Sequence, residues 1–121
     1  MSELALIIED DEDLVEIFAE ALRRVGFEVE QIPDVKKADE RLRNGPPPYL
    51  ILLDMHIPHI SGGDLLTNVI KQDERFNSTI VIITTADARM GDVYRDQADF
   101  VMIKPISFVQ LRDLTKRLKP Q

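Results

Sequence analysis

The chain has 121 residues, 44% apolar and 31% charged, and its 22 Asp and Glu against 15 Lys and Arg give a formal net charge of −7. That length suits one domain, large enough to bury a core without a disulfide or a metal. The acidic surplus argues against a sequence-independent grip on nucleic-acid phosphates, which needs clustered Lys and Arg, and the absence of cysteine removes disulfides, thiolate metal sites and cysteine nucleophiles together.

The N-terminal MSELALIIEDDED has no basic n-region and only a short apolar run, so it does not read as a signal peptide. No later stretch approaches the roughly 18 apolar residues of a membrane span. A soluble, cytoplasmic protein is the expectation. Leu4–Ile8 (LALII) is a nearly continuous apolar run, the pattern of a strand buried on both faces. From Leu14 onward, Ile17, Phe18, Ala21, Leu22 and Val25 follow at helical spacing, with Gly26 as the stop. Glu28–Ile32 alternates weakly and reads as a strand at or near a sheet edge. Asp34 can cap a second helix that turns Val35, Ala38 and Leu42 inward, and Gly45-Pro46-Pro47-Pro48 then forbids both helix and strand.

Residues 49–53 (YLILL) form the next buried run, followed by a loop with Pro58 and a helix predicted over about residues 61–72, with Leu65, Leu66, Val69 and Ile70 inward. Residues 80–83 (IVII) are the third buried run. Residues 88–97 are polar and carry the weakest helical pattern of the chain. Phe100–Ile103 (FVMI) is the last strand, and Ser107 can cap a final helix burying Phe108, Leu111, Leu114, Thr115 and Leu118. Five βα units with no repeat or linker predict an α/β fold, a doubly wound five-stranded parallel sheet with helices on both faces, and one domain over residues 1–121.

Ligands of such sheets bind beyond the carboxyl ends of the strands. The first polar residues after each apolar run are therefore informative. The first strand delivers Glu9 and Asp10, the third Asp54, the fourth Thr84 and Thr85, and the fifth Lys104-Pro105. Carboxylates brought together repel unless a cation sits among them. A hard dication such as Mg²⁺ accepts such oxygens together with water and phosphate oxygens. A lysine and a threonine hydroxyl suit phosphoryl oxygens, and an Asp carboxylate is an accepted nucleophile for phosphoryl transfer.

The four segments IIEDDE, LLDMHIP, TTA and IKP, in this order on five βα units, resemble the receiver domain of bacterial two-component response regulators over about the whole chain. The resemblance implies a flavodoxin-like fold of strand order 2-1-3-4-5. It implies that Asp54 accepts a phosphoryl group from a phosphohistidine of a sensor histidine kinase or phosphotransfer protein. It places Mg²⁺ on Asp10 directly, on Glu9 through water, on Asp54, and on the backbone carbonyl of His56. Thr85, followed by Ala86, takes the place of the switch hydroxyl. Lys104 pairs with Asp54 and then with the phosphoryl group, ahead of a cis peptide bond at Pro105. Pro58 and Gly62 stand where receivers place them.

Two departures accompany the likeness. Val101 stands where receivers carry Tyr or Phe, with Phe100 one place earlier and facing the other side, and residues 85–104 run nearly a helical turn short. The site is thus expected intact and the signalling face around the fourth helix and fifth strand altered. Glu12 and Asp13 read as solvated acids that complement a helix dipole. His56 and His59 have a zinc-like spacing but no third ligand nearby, and the His56 side chain is expected to shield or crowd the phosphoryl group. A dimer through the fourth-helix, fifth-strand and fifth-helix face would suit the basic Arg112, Lys116, Arg117 and Lys119 against Asp92, Asp96 and Asp99. Direct nucleic-acid or membrane binding is not expected of this domain. The alternatives are a receiver-like interaction module that is rarely phosphorylated, and a Mg²⁺-dependent phosphohydrolase. The latter would want a second Asp where His56 stands.

Overall fold

Three of the five strands are apolar on both sides, so the chain buries them between two layers of helix, and the apolar fifth lies at an edge with its ends exposed. The computed structural model describes residues 3–56 and 62–119. Its strands β1 (Leu4–Ile8), β2 (Glu28–Ile32), β3 (Leu50–Asp54), β4 (Ile80–Thr85) and β5 (Phe100–Ile103) are all parallel. Their order is β2-β1-β3-β4-β5, as the resemblance implied. The polar β2 lies at an edge, where its alternation fits.

Side chains alternate between the two faces of the sheet, and the two halves of the core follow that period. Ala5, Ile7, Leu50, Leu52 and Ile82 pack with α1 (Glu12–Val25) and α5 (Phe108–Leu118). Leu6, Ile8, Ile51, Leu53, Val81 and Ile83 pack on the other face, with α2 (Val35–Asn44), α3 (Gly62–Leu65) and α4 (Ala88–Tyr94).

The helix ends have local causes. The Asp11 carboxylate caps α1 by accepting from the N–H groups of Asp13 and Leu14, and Gly26 closes it at φ 106°, a left-handed value that favours glycine. Asp34 caps α2 in the same way, and Ser107 forms a reciprocal capping box with Gln110 on α5. Just past α5, Lys119 Nζ donates to the carbonyl of Val25, the last residue of α1, at 2.9 Å. The Tyr49 hydroxyl donates to the Leu118 carbonyl at 2.6 Å, which ties α5 to the strand layer.

Three sequence expectations need correction. The single helix predicted over residues 61–72 is shorter: α3 runs into a wider π-turn at Leu66–Ile70, closed by the Lys71 N–H on the Leu66 carbonyl at 3.0 Å. That turn keeps Leu65, Leu66, Val69 and Ile70 all buried, as expected. Ile17 on α1 is 41% exposed, and Val15 is buried instead, because the apolar stripe lies slightly to one side of the predicted one. The weak helix of residues 88–97 resolves into α4 and a 3₁₀ turn at Arg95–Gln97. One further element has no counterpart in the apolar pattern: a 3₁₀ turn at Glu74–Phe76, capped by Asp73, inserts Phe76 into the core. Among the described residues, no helix is long and apolar enough to cross a membrane.

Candidate functional site

Each apolar run ends at the same edge of the sheet, and its first polar residue emerges there. Glu9 continues β1 by donating its N–H to the Ile32 carbonyl at 3.3 Å. Asp54 closes β3 opposite Thr84, and the next N–H, of Met55, donates to the Thr84 carbonyl at 3.0 Å. The Lys104 N–H donates to the Thr85 carbonyl at 2.8 Å, so β5 delivers the lysine alongside β4. The Lys104–Pro105 peptide bond is cis, as the resemblance implied. Gly62 opens α3 directly against the end of β3: a Cβ there would stand 2.4 Å from the Asp54 carbonyl oxygen, so only glycine permits this approach.

These elements gather Glu9, Asp10 and Asp54, whose carboxylate oxygens lie within 4.8 Å of one another. Glu9 and Asp54 are only 2% and 3% exposed, whereas Asp10 faces solvent. Lys104 Nζ donates to Glu9 Oε1 at 3.0 Å and to Asp54 Oδ1 at 3.3 Å. The His56 N–H donates to the same Asp54 Oδ1 at 3.1 Å. The Asp11 N–H donates to Glu9 Oε2 at 3.2 Å, so one acidic residue both caps α1 and steadies its neighbour.

Burial, followed by the nearby Asp54 carboxylate, pushes the Glu9 carboxyl up to about 7, although Lys104 and the Asp11 N–H pull the other way. Burial alone would lower the Lys104 ammonium, but the bonds and charges of Glu9 and Asp54 outweigh it and hold the group above its ordinary value. With all three carboxylates ionised, the single ammonium leaves the cluster two charges from neutral. One hard dication with oxygen preference cancels that excess, and the all-carboxylate donor set fits Mg²⁺. A cleft lined by Glu9, Asp10, Glu12, Glu16, Gln31 and Pro33 opens beside the cluster.

The two threonines of β4 point to opposite faces and differ sharply. Among the described residues, the Thr84 hydroxyl is buried without a hydrogen-bond partner. The Thr85 hydroxyl lies 2.8 Å from His56 Nε2 and accepts from the Asp87 N–H at 2.9 Å. Thr85 is thus linked to Asp54 through His56, whose backbone holds one and whose ring reaches the other.

Sequence reasoning placed Glu9, Asp10, Asp54, Thr85 and Lys104 at one edge, and the structure brings them there. It missed the cap on α1, although an Asp three residues before Leu14 is a recognisable signal. It also missed that Glu9 is the nearer partner of Lys104, and that the His56 ring bonds Thr85. Neither carries a local pattern, because each joins residues far apart in sequence. His59, Pro58 and the remainder of the H-x-x-H spacing lie outside the described residues.

Comparison with known proteins agrees with this geometry. The family model described as the response regulator receiver domain matches residues 5–116. The two-component response regulator-like APRR5 of Arabidopsis thaliana is 33% identical over 114 residues, covering 90% of this chain and 20% of that protein. The polar-differentiation response regulator DivK of Brucella ovis is 31% identical over 110 residues, covering 88% of each. The chain therefore spans a small part of some relatives and most of others. Among solved structures, the receiver domain of sensor histidine kinase PA1611 from Pseudomonas aeruginosa superposes with a TM-score of 0.82 at 22% identity, covering 97% of each chain. That neighbour has a magnesium ion coordinated in its active site cleft.

Proposed function

The chain belongs to the response regulator receiver domain family, and from that premise we propose that residues 1–121 form one phosphoacceptor unit whose nucleophile is Asp54. Receiver domains are signalling modules of two-component systems, and the carboxylate cluster of Glu9, Asp10 and Asp54 with the Lys104 ammonium is the observation that carries the reading. An Asp54 oxygen forms a bond to phosphorus as the bond from phosphorus to the donor nitrogen breaks. The donor is a phosphohistidine of a sensor histidine kinase or phosphotransfer protein.

Glu9, Asp10, Asp54 and the backbone carbonyl of His56 would hold Mg²⁺. Bound there, the ion neutralises charge on the phosphoryl oxygens. The chain's own contribution is placement. The His56 N–H and Lys104 fix Asp54 Oδ1 and so orient the carboxylate. Lys104 lies between Glu9 and Asp54, where it can turn its ammonium to a phosphoryl oxygen. Thr85 supplies the hydroxyl that responds to the new charge, with its methyl side against α4: a Cβ on Gly91 would stand 3.6 Å from Thr85 Cγ2. Val93, Phe100, Ile103 and Val109 are exposed on α4, β5 and α5, which favours a partner surface or homodimer contact there. A cytoplasmic location and an output partner or domain complete the reading.

Val101 in place of an aromatic ring favours one second reading, an interaction module that is seldom phosphorylated. A single experiment divides the two. The protein is incubated with Mg²⁺ and acetyl phosphate, and intact mass is measured for the native chain and for Asp54→Asn. A labile phosphoryl adduct present only in the native chain is the expected result. No adduct and no Mg²⁺ binding would leave the interaction module, and steady turnover of varied phosphate esters would point to a phosphohydrolase.

A further inference from the structure

The Thr85 hydroxyl has one proton and two lone pairs, and its surroundings already use them. The Asp87 N–H occupies one lone pair at 2.9 Å. His56 Nε2 lies at 2.8 Å and the Asp87 carbonyl at 3.3 Å. Whichever ring nitrogen carries the imidazole proton, these neighbours account for the remaining lone pair or for the proton. His56 cannot drift from this position at its base, because its own N–H is bonded to Asp54 Oδ1 at 3.1 Å. Its exposed ring therefore bridges from the acidic cluster to β4.

We propose that His56 is a positioning residue that latches the Thr85 hydroxyl in its unphosphorylated setting, so that activation is a competition between imidazole Nε2 and a phosphoryl oxygen for that hydroxyl. The inference rests on the phosphoacceptor reading and adds to it a specific opponent of the switch. Thr85 must leave His56 to reach a phosphoryl group on Asp54. Because the Thr85 methyl side lies under Gly91, that departure also unloads the seat of α4. The latch takes the place of the missing aromatic ring as the element that sets how readily this chain switches. Val101 is too short to play that part and packs, half-buried, against the core.

The test compares the native chain, His56→Ala, His56→Gln and Thr85→Val, alone and with His56→Ala. The probe is beryllium trifluoride with Mg²⁺, a stand-in for the phosphoryl group. Backbone amide resonances of residues 85–91 are followed by NMR, first without Mg²⁺ or probe and then through a titration. His56→Ala is expected to move those resonances part of the way toward their probe-bound positions before any ligand is added. It is also expected to tighten probe affinity about fivefold to tenfold, the worth of one hydrogen bond. His56→Gln, whose amide reaches as far as Nε2, should restore native behaviour, and His56→Ala should have no further effect on the Thr85→Val chain. Unchanged resonances and affinity in His56→Ala, while the native chain still binds the probe, would overturn the latch and leave the phosphoacceptor reading standing. Failure of the native chain to bind the probe would overturn both.

Discussion

Lys104 Nζ lies 3.0 Å from Glu9 Oε1, nearer than the 3.3 Å to Asp54, so the lysine of the site is shared with an acid that emerges from the first strand. Burial and the neighbouring Asp54 nevertheless raise the Glu9 carboxyl from its ordinary 4.5 to about 7. The folded protein therefore keeps a proton that the unfolded chain has released. The resulting stabilisation is complete below pH 4.5 and is lost as pH rises through about 7. Metal-free protein should lose roughly 1–3 kcal/mol of stability between pH 5 and pH 8, since each tenfold change in proton affinity is worth about 1.4 kcal/mol. Glu9→Gln should flatten that slope. Urea midpoints at the two pH values measure it, and a slope unchanged by the substitution would exclude Glu9 as its source.

Mg²⁺ binding should carry the opposite dependence. The ion requires charged carboxylates, and the Glu9 carboxyl is pushed up to about 7. Affinity is expected to rise severalfold from pH 6 to pH 8, with proton release on binding. Calorimetry in two buffers of different ionisation enthalpy reads the released proton directly. Lys104 stays charged across this window, since its partners hold it above its ordinary value. Equal heats in the two buffers at pH 6.5 would mean that no proton leaves.

Adjacent residues of β4 should respond in opposite ways to the same substitution. The Thr84 hydroxyl is buried with no partner among the described residues, and an unsatisfied buried hydroxyl costs about 1–3 kcal/mol. Thr84→Val replaces it with a methyl group of similar shape, and should stabilise the fold by about 1 kcal/mol while leaving phosphoryl uptake intact. Thr85→Val removes bonds to His56 and to the Asp87 N–H. It should destabilise by about 1 kcal/mol and impair switching. Thermal or urea unfolding of the two variants, with intact-mass assay of the adduct, distinguishes them.

Legibility in the sequence obeys a physical rule. The strand pattern and the emergence of Glu9, Asp10, Asp54, Thr85 and Lys104 at one edge are encoded locally, in apolar runs and the first polar residue after each. Caps at Asp34 and Ser107 were likewise readable. The π-turn at Leu66–Ile70 was not, because both α and π spacing bury the same apolar residues there. Contacts between distant segments were invisible for a different reason. The His56 ring on Thr85 spans 29 residues and Lys104 on Glu9 spans 95, and no periodicity reports which side chains meet when strands are laid side by side.

The missing aromatic ring at position 101 has a structural counterpart in Gly91, and the pair can be tested as a unit. A Cβ on Gly91 would stand 2.9 Å from Val101 Cγ1 and 3.4 Å from Ile103 Cδ1, closer than the first contact can bear. Val101 is β-branched and stiff at χ1, so it yields poorly. Alanine at 91 gains about 1 kcal/mol of helix propensity, whereas overpacking costs about 1–3 kcal/mol. Gly91→Ala alone should therefore destabilise by about 1 kcal/mol and shift the seat of α4, without touching the carboxylate cluster. In a Val101→Ala background the clash is gone, and the same substitution should become stabilising by roughly 0.5–1 kcal/mol. A double-mutant cycle on urea midpoints gives the coupling between the two sites. Additive effects would show that α4 does not rest on Val101, and the short segment between Thr85 and Lys104 would then need another explanation.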